Sequence, residues 1–244
     1  MSGISQIKTQ LLEVLWLPKI RRAGDILYSK LRKNKKMKVL TLTDHRNFQE
    51  ITTFEESKLT LREHVTAWTY GHIEKLRLET ELSPARVFGP TRYEDSISKS
   101  SFSLRAHFPF DVINLDFSSQ TPDLESGRIE KEIECLERTI KLQRAHNNRG
   151  FVIIYTTLLN SNNLDYGSMV NSSNALHSPG WSGIVSGSFP PSVEDQREKI
   201  ECMESILTEI CSKYNYDVEF ERRSFSMSGT QHSVCSIAGL LRAR

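Results

Sequence analysis

Residues 108–117 read Phe-Pro-Phe-Asp-Val-Ile-Asn-Leu-Asp-Phe, the clearest strand signal in the chain. Pro109 lacks an amide proton and stands ahead of the run. Val112, Ile113 and Leu115 then supply the branched and apolar side chains that suit a buried pleat. Two polar residues, Asn114 and Asp116, fall at its end. Parallel sheets bind ligands at the carboxyl ends of their strands, so this ending marks a candidate site as well as a fold.

Working outward, the same texture repeats. Toward the amino terminus, residues 85–91 (ARVFGPT) predict a short strand and 93–98 a short helix, with Thr91-x-x-Glu94 as its capping box. Before them come a strand at 64–70 and a helix at 72–82. Earlier still come a strand at 37–43 and a helix at 46–59 that buries Phe48, Ile51 and Phe54. Toward the carboxyl terminus, Ile129, Ile133, Leu136 and Ile140 give a helix over 128–145. Residues 150–159 are nearly all apolar or β-branched, as expected of a strand covered on both faces. A helix follows at 193–213, with Ile200, Met203, Ile206, Leu207 and Ile210 on one side. Strands at 216–225 and 232–241 close the chain as a hairpin. Residues 160–192, rich in Asn, Ser, Gly and Pro, form a long irregular segment of the kind that carries function, with Tyr166, His177 and Trp181 as lid candidates.

The alternation predicts an α/β fold: a doubly wound, mostly parallel seven-stranded sheet with a C-terminal antiparallel hairpin. Residues 1–36 read as a basic N-terminal helical extension and 37–244 as the domain. Within the extension, Ile4, Ile7, Leu11, Leu12, Val14 and Leu15 give one amphipathic helix, which Pro18 breaks or restarts. Residues 19–33 repeat the period.

The 244 residues include 38% hydrophobic and 25% charged, a balance that excludes disordered and fibrous classes. No apolar run is long enough for a membrane span. The opening residues have no basic stretch leading into a long apolar one, so a secretory signal is not expected. Cysteines at 135, 202, 211 and 235 form no C-x-x-C pair, which suits a reduced, cytoplasmic setting. The seven histidines show no metal-ligand spacing, and no structural metal is expected.

Charge is uneven. Residues 1–40 hold ten Lys/Arg against Glu13 and Asp25, a net of +8, while the rest, with 22 basic and 28 acidic residues, carries −6. Lys30, Arg32, Lys33, Lys35, Lys36 and Lys38 lie almost together. Such a cluster suits a nucleic-acid backbone or an acidic partner, or it is simply a solvated helix end.

The element order resembles the Rossmann-like class I methyltransferases that use S-adenosylmethionine, whose seventh strand is inserted antiparallel beside the fifth and sixth. The resemblance covers residues 37–241. In that family the first strand ends in a glycine-rich turn that lets the cofactor approach. Here the chain reads Leu42-Thr43-Asp44-His45-Arg46-Asn47, without glycine. Thr43 and Asp44 take that place, with Asp44 positioned for an ammonium or as a helix cap. Where the family has a ribose-binding acid after the second strand, this chain has Trp68-Thr69-Tyr70-Gly71, and Glu74 falls already within a helix. Trp68 or Tyr70 then stacks on an adenine or caps the core. After the third strand, Glu94 and Asp95 match the acid that faces the adenine, or they complement the helix dipole.

The stretch 114–119 is similar to the Asp-Leu-Asp-Pro-aromatic-Gly motif of tRNA guanine-N2 methyltransferases. By that similarity Asn114 and Asp116 accept hydrogen bonds from a target amine and Phe117 stacks on the base. Asn114 stands in for an acid, and no proline precedes the aromatic. The resemblance implies an S-adenosylmethionine-dependent methyltransferase acting on nucleic acid or a similar polar substrate. The missing glycines point alternatively to a degenerate scaffold that serves as a binding subunit, with the N-terminal helices as its docking element. A third reading is nucleic-acid binding through the basic cluster without chemistry.

Overall fold

A computed structural model of the chain describes residues 8–28, 36–43, 48–99, 103–117, 128–146, 149–160, 193–226 and 232–244. Strand β4 (Val112–Asp116) is buried along its whole length. It lies between β1 (Val39–Leu42) and β5 (Gly150–Asn160), parallel to both. β2 (Val65–Trp68) and β3 (Arg86–Phe88) extend the parallel sheet beyond β1. β6 (Tyr216–Ser226) and β7 (His232–Ala243) form the hairpin, and β7 inserts antiparallel between β5 and β6. The order β3-β2-β1-β4-β5-β7-β6 is the doubly wound, mostly parallel seven-stranded sheet expected from the alternation.

Alternate side chains feed two cores, because successive residues of a strand point to opposite faces. Leu40, Ile113, Leu115, Ile153 and Tyr155 face one side. There they meet α4 (Tyr93–Ile97), α5 (Arg128–His146) and α6 (Val193–Lys213) through Ile97, Leu136, Ile140, Met203 and Leu207. Val39, Val112, Val152 and Ile154 face the other. It is covered by α2 (Gln49–Glu56), α3 (His72–Glu81) and a helix running over 8–28.

That last helix holds a π-helical stretch, Leu12–Trp16, followed by α1 (Leu17–Tyr28). The chain therefore stays helical through Pro18. The wider turn just before it relieves the clash a proline ring makes with the preceding turn. Leu11, Leu15, Trp16, Ile20 and Ala23 pack on the sheet, and the Trp16 indole donates to Ser236 Oγ at 2.9 Å. Lys19, fully buried, bridges Glu219 and Glu221 of the edge strand β6 at 3.4 and 3.0 Å. The edge is thus closed by charge as well as by the helix. Cys135, Cys211 and Cys235 are buried free thiols. Among the described residues no helix is long and apolar enough to cross a membrane.

Candidate functional site

Between β1 and β4 the strand order reverses, opening the crevice that doubly wound sheets use for ligands. Thr41 pairs in register with Asn114. By the two-residue period Thr41, Thr43, Asn114 and Asp116 all face the side of α2 and the helix over 8–28, and all four are buried. Glu50 comes down on them from the first turn of α2 and Lys8 from the helix start, both also buried. Asn114 Nδ2 donates to Thr41 Oγ1 at 3.1 Å, and Thr41 Oγ1 donates to Glu50 Oε1 at 3.4 Å. Lys8 Nζ stands 2.6 Å from Asp116 Oδ2. Asn114 Oδ1 is buried with no hydrogen-bond partner among the described residues.

The result is a buried polar cluster holding two carboxyl groups and one ammonium. Burial, with Asp116 nearby, pushes the Glu50 carboxyl up to about 7 despite the opposing pull of Lys8 and the Thr43 hydroxyl. Phe117 is not part of this cluster. One residue beyond Asp116, it points to the opposite face, where it is fully buried and packs edge-on against Tyr155 at 5.9 Å. Asn114 and Asp116 therefore share a face with Thr43, and Phe117 lies on the other.

At the exits of β2 and β3 the arrangement is different. Trp68 is buried, donates Nε1 to Thr91 O at 2.7 Å, and lies parallel to Phe88 (6.2 Å) and edge-on to Tyr93 (5.4 Å). Both faces of its role are internal. Tyr70 is 56% exposed, with the Arg92 guanidinium 5.5 Å over its ring. Gly71 follows at φ +106°, a conformation an L side chain rarely adopts, and the Glu74 carboxylate folds back into the space a Cβ would take. The α3 acid is thereby returned to the strand end beside Tyr70. Glu94 keeps one buried oxygen without a hydrogen-bond partner among the described residues, and Asp95 is exposed on the same short helix. The capping box at Thr91 does not form. Arg92 is the N-cap and makes no side-chain capping hydrogen bond, while the Thr91 hydroxyl bonds Ser96 Oγ at 2.5 Å.

Asp44 lies outside the described residues, as do Lys30, Arg32, Lys33, Lys35 and the segment 161–192. Lys36 and Lys38 stand ahead of β1, at the sheet's amino-terminal edge and opposite the Asn114–Asp116 crevice. Among the described residues no cluster of His, Cys, Asp and Glu is built to hold a metal ion. Lys8, Glu50 and Glu74 are the residues sequence reasoning passed over. Only Glu74 left a signal, in the glycine at the strand exit that makes room for its carboxylate.

No protein-family model and no curated protein matches the chain. Among solved structures, it resembles TYW2 of M. jannaschii in complex with AdoMet at 11% identity and a TM-score of 0.48, covering 93% of this chain and 76% of that one. It resembles the N-methyltransferase NodS from Bradyrhizobium japonicum WM9 at 14% identity and 0.43, covering 93% and 98%. TrmN from Thermus thermophilus matches at 12% and 0.41, covering 92% and 48%. At these identities and scores the likenesses assign neither ligand nor reaction.

Proposed function

We propose that this protein binds S-adenosylmethionine along the carboxyl ends of β2, β1 and β4 and transfers its methyl group to a nitrogen of a nucleic acid or similarly polar acceptor. The observation that carries this reading is the buried Asn114–Asp116–Glu50 cluster at the point where the strand order reverses. Burying carboxyl groups is costly and is a weak way to stabilise a core, so their concentration at a ligand crevice favours a functional role.

The residues suit the cofactor at two points. The Glu74 carboxylate stands at the β2 exit, where the ribose diol would lie, and the exposed Tyr70 face beside it suits an adenine. When bound, the cofactor supplies a sulfonium methyl. Asn114 Oδ1, lacking a partner, accepts one N–H of the acceptor amine, and Asp116 accepts another once Lys8 withdraws. These contacts aim the nitrogen lone pair, and alignment is most of what methyl transfer requires. The amine nitrogen gains the methyl as the carbon–sulfur bond of the sulfonium breaks, leaving a neutral thioether, and it loses a proton. Asp116, which accepts one of the amine's N–H bonds, is the group placed to receive it, and Glu50 holds Asn114 in place through Thr41. The buried free thiols are consistent with a reducing, cytoplasmic setting.

A second reading rests on Lys8. Its ammonium already neutralises Asp116, which suits a methyltransferase-like scaffold that has kept the fold and serves as a binding subunit. Incubation with S-adenosylmethionine carrying a labelled methyl, with bulk RNA and DNA as acceptors, separates the two. Catalysis predicts label on nucleic acid that Asp116→Ala abolishes. No label with either acceptor, from protein that is folded, leaves the scaffold.

A further inference from the structure

The end of the sheet away from the crevice has a chemistry of its own. Arg86 opens β3, level through Thr66 with Leu40 of β1, so it sits two strands, about 10 Å, from the chain leading into β1. Arg86, Phe88, Lys38 and Leu40 share one face by the strand period. The turn Ser103–His107 brings a third basic group onto it. Arg86 Nη1 lies 2.9 Å from His107 Nδ1, and Lys38 Nζ donates to the His107 carbonyl. The His107 ring packs edge-on against Phe88 at 5.2 Å, and Lys38 Nζ stands 4.9 Å over Phe110.

Three basic side chains thus converge against two aromatic walls. Among the described residues no acid pairs with Arg86. The nearby carboxylate, Asp111, is engaged by the Tyr28 hydroxyl and the Lys38 amide. Burial and the Arg86 charge both lower Lys38 from its ordinary value. Burial, Arg86 and then Lys38 do the same to His107, whose neutral ring accepts from Arg86 at Nδ1, so the positive charge of the corner is that of Arg86 and Lys38. Arg105, on the same turn as His107, is exposed.

We propose that Arg86, Lys38 and His107 form a phosphate-binding corner that takes a backbone phosphodiester of single-stranded nucleic acid. The planar guanidinium supplies paired donors, and most of them have no partner among the described residues. Arg86 is exposed on the rim strand, with Phe88 and His107 half-buried beside it, so the corner is open along the sheet edge, as a passing strand needs. This site stands apart from the carboxyl-end crevice and does not depend on methyl transfer there.

The test is fluorescence anisotropy with a labelled twelve-nucleotide oligouridylate, comparing wild type, Arg86→Ala, His107→Gln and the control Lys75→Ala on α3, at several salt concentrations. Circular dichroism checks each fold. Arg86→Ala is expected to weaken binding by about fivefold or more and to lower the salt slope by about one, with His107→Gln weaker by a lesser factor and Lys75→Ala unchanged. Wild type that does not bind, or Arg86→Ala that binds like wild type or only as weakly as Lys75→Ala, overturns the site. Inorganic phosphate serves as competitor. If it binds the corner as tightly as the oligonucleotide does, the site takes free phosphate and the strand assignment is wrong.

Discussion

Burying Asp116 beside Lys8 removes two full charges from water, a cost their 2.6 Å contact offsets only while both are present. Lys8→Ala leaves an uncompensated carboxylate and should cost about 3–5 kcal/mol at neutral pH, read by chemical denaturation. Adding Asp116→Asn should recover much of that loss. A Lys8→Ala protein as stable as wild type would show that the pair does not form in solution. Glu50 makes a second, separable prediction. Its folded-state value, about 7, lies above that of an unfolded glutamate, so folding favours its protonated form. The associated stability is present below the unfolded value and is lost as pH rises through about 7. Glu50→Gln, which mimics the protonated group, should therefore gain on wild type between pH 4 and 8, by on the order of 3 kcal/mol. Parallel denaturation curves across that range would contradict it. At this scale the sequence was legible where a local period governs: Asn114 and Asp116 share a face because they are two residues apart. The same period sends Phe117 to the other face, which the motif resemblance overrode. Lys8 lies more than a hundred residues from Asp116 in the chain, and no local pattern links them.

The elements that cover the sheet divide its labour. The helix over 8–28 covers β5 and β7 with Leu11, Leu15, Trp16 and Ile20, and it carries Lys8 to the crevice. A chain beginning at residue 29 should lose its cooperative unfolding transition and bind a hydrophobic dye, because that apolar face is left in water. A truncated protein with a sharp wild-type-like melt would show that the sheet holds without it. Trp16→Ala is the milder version. It removes the indole and its bond to Ser236 and should cost about 3–5 kcal/mol. Helix periods were readable from the sequence, and all seven strands fall where apolar runs placed them. Helix starts were not. Thr91 and Glu94 have the capping-box spacing, yet the chain begins α4 one residue later and spends the Thr91 hydroxyl on Ser96. Pro18 read as a break, and a π-helical stretch absorbed it.

Across the whole molecule, pairing is densest at one side of the sheet. β7 is paired along both edges, with eleven register pairs to β5 and eleven to β6, whereas β3 pairs three residues at the opposite rim. Hydrogen exchange should find β5 and β7 amides opening only with global unfolding and β3 amides exchanging through local openings. Equal protection of β3 and β7 would contradict that gradient. The looser rim is also the one that carries Tyr70, Arg92 and Glu74. The strand order followed from the alternation of elements and the final hairpin, which are local signals summed along the chain. The contents of the crevice are set by long-range contacts and could not be summed in that way.

The central claim is that the carboxyl ends of β2, β1 and β4 form a working site for S-adenosylmethionine. Calorimetric titration of the folded protein with S-adenosylmethionine, and with S-adenosylhomocysteine as second ligand, measures it most directly. Micromolar binding is expected, about −8 kcal/mol, weakened in Glu74→Ala. No heat with either ligand at several temperatures, from protein with an intact melting transition, would contradict it.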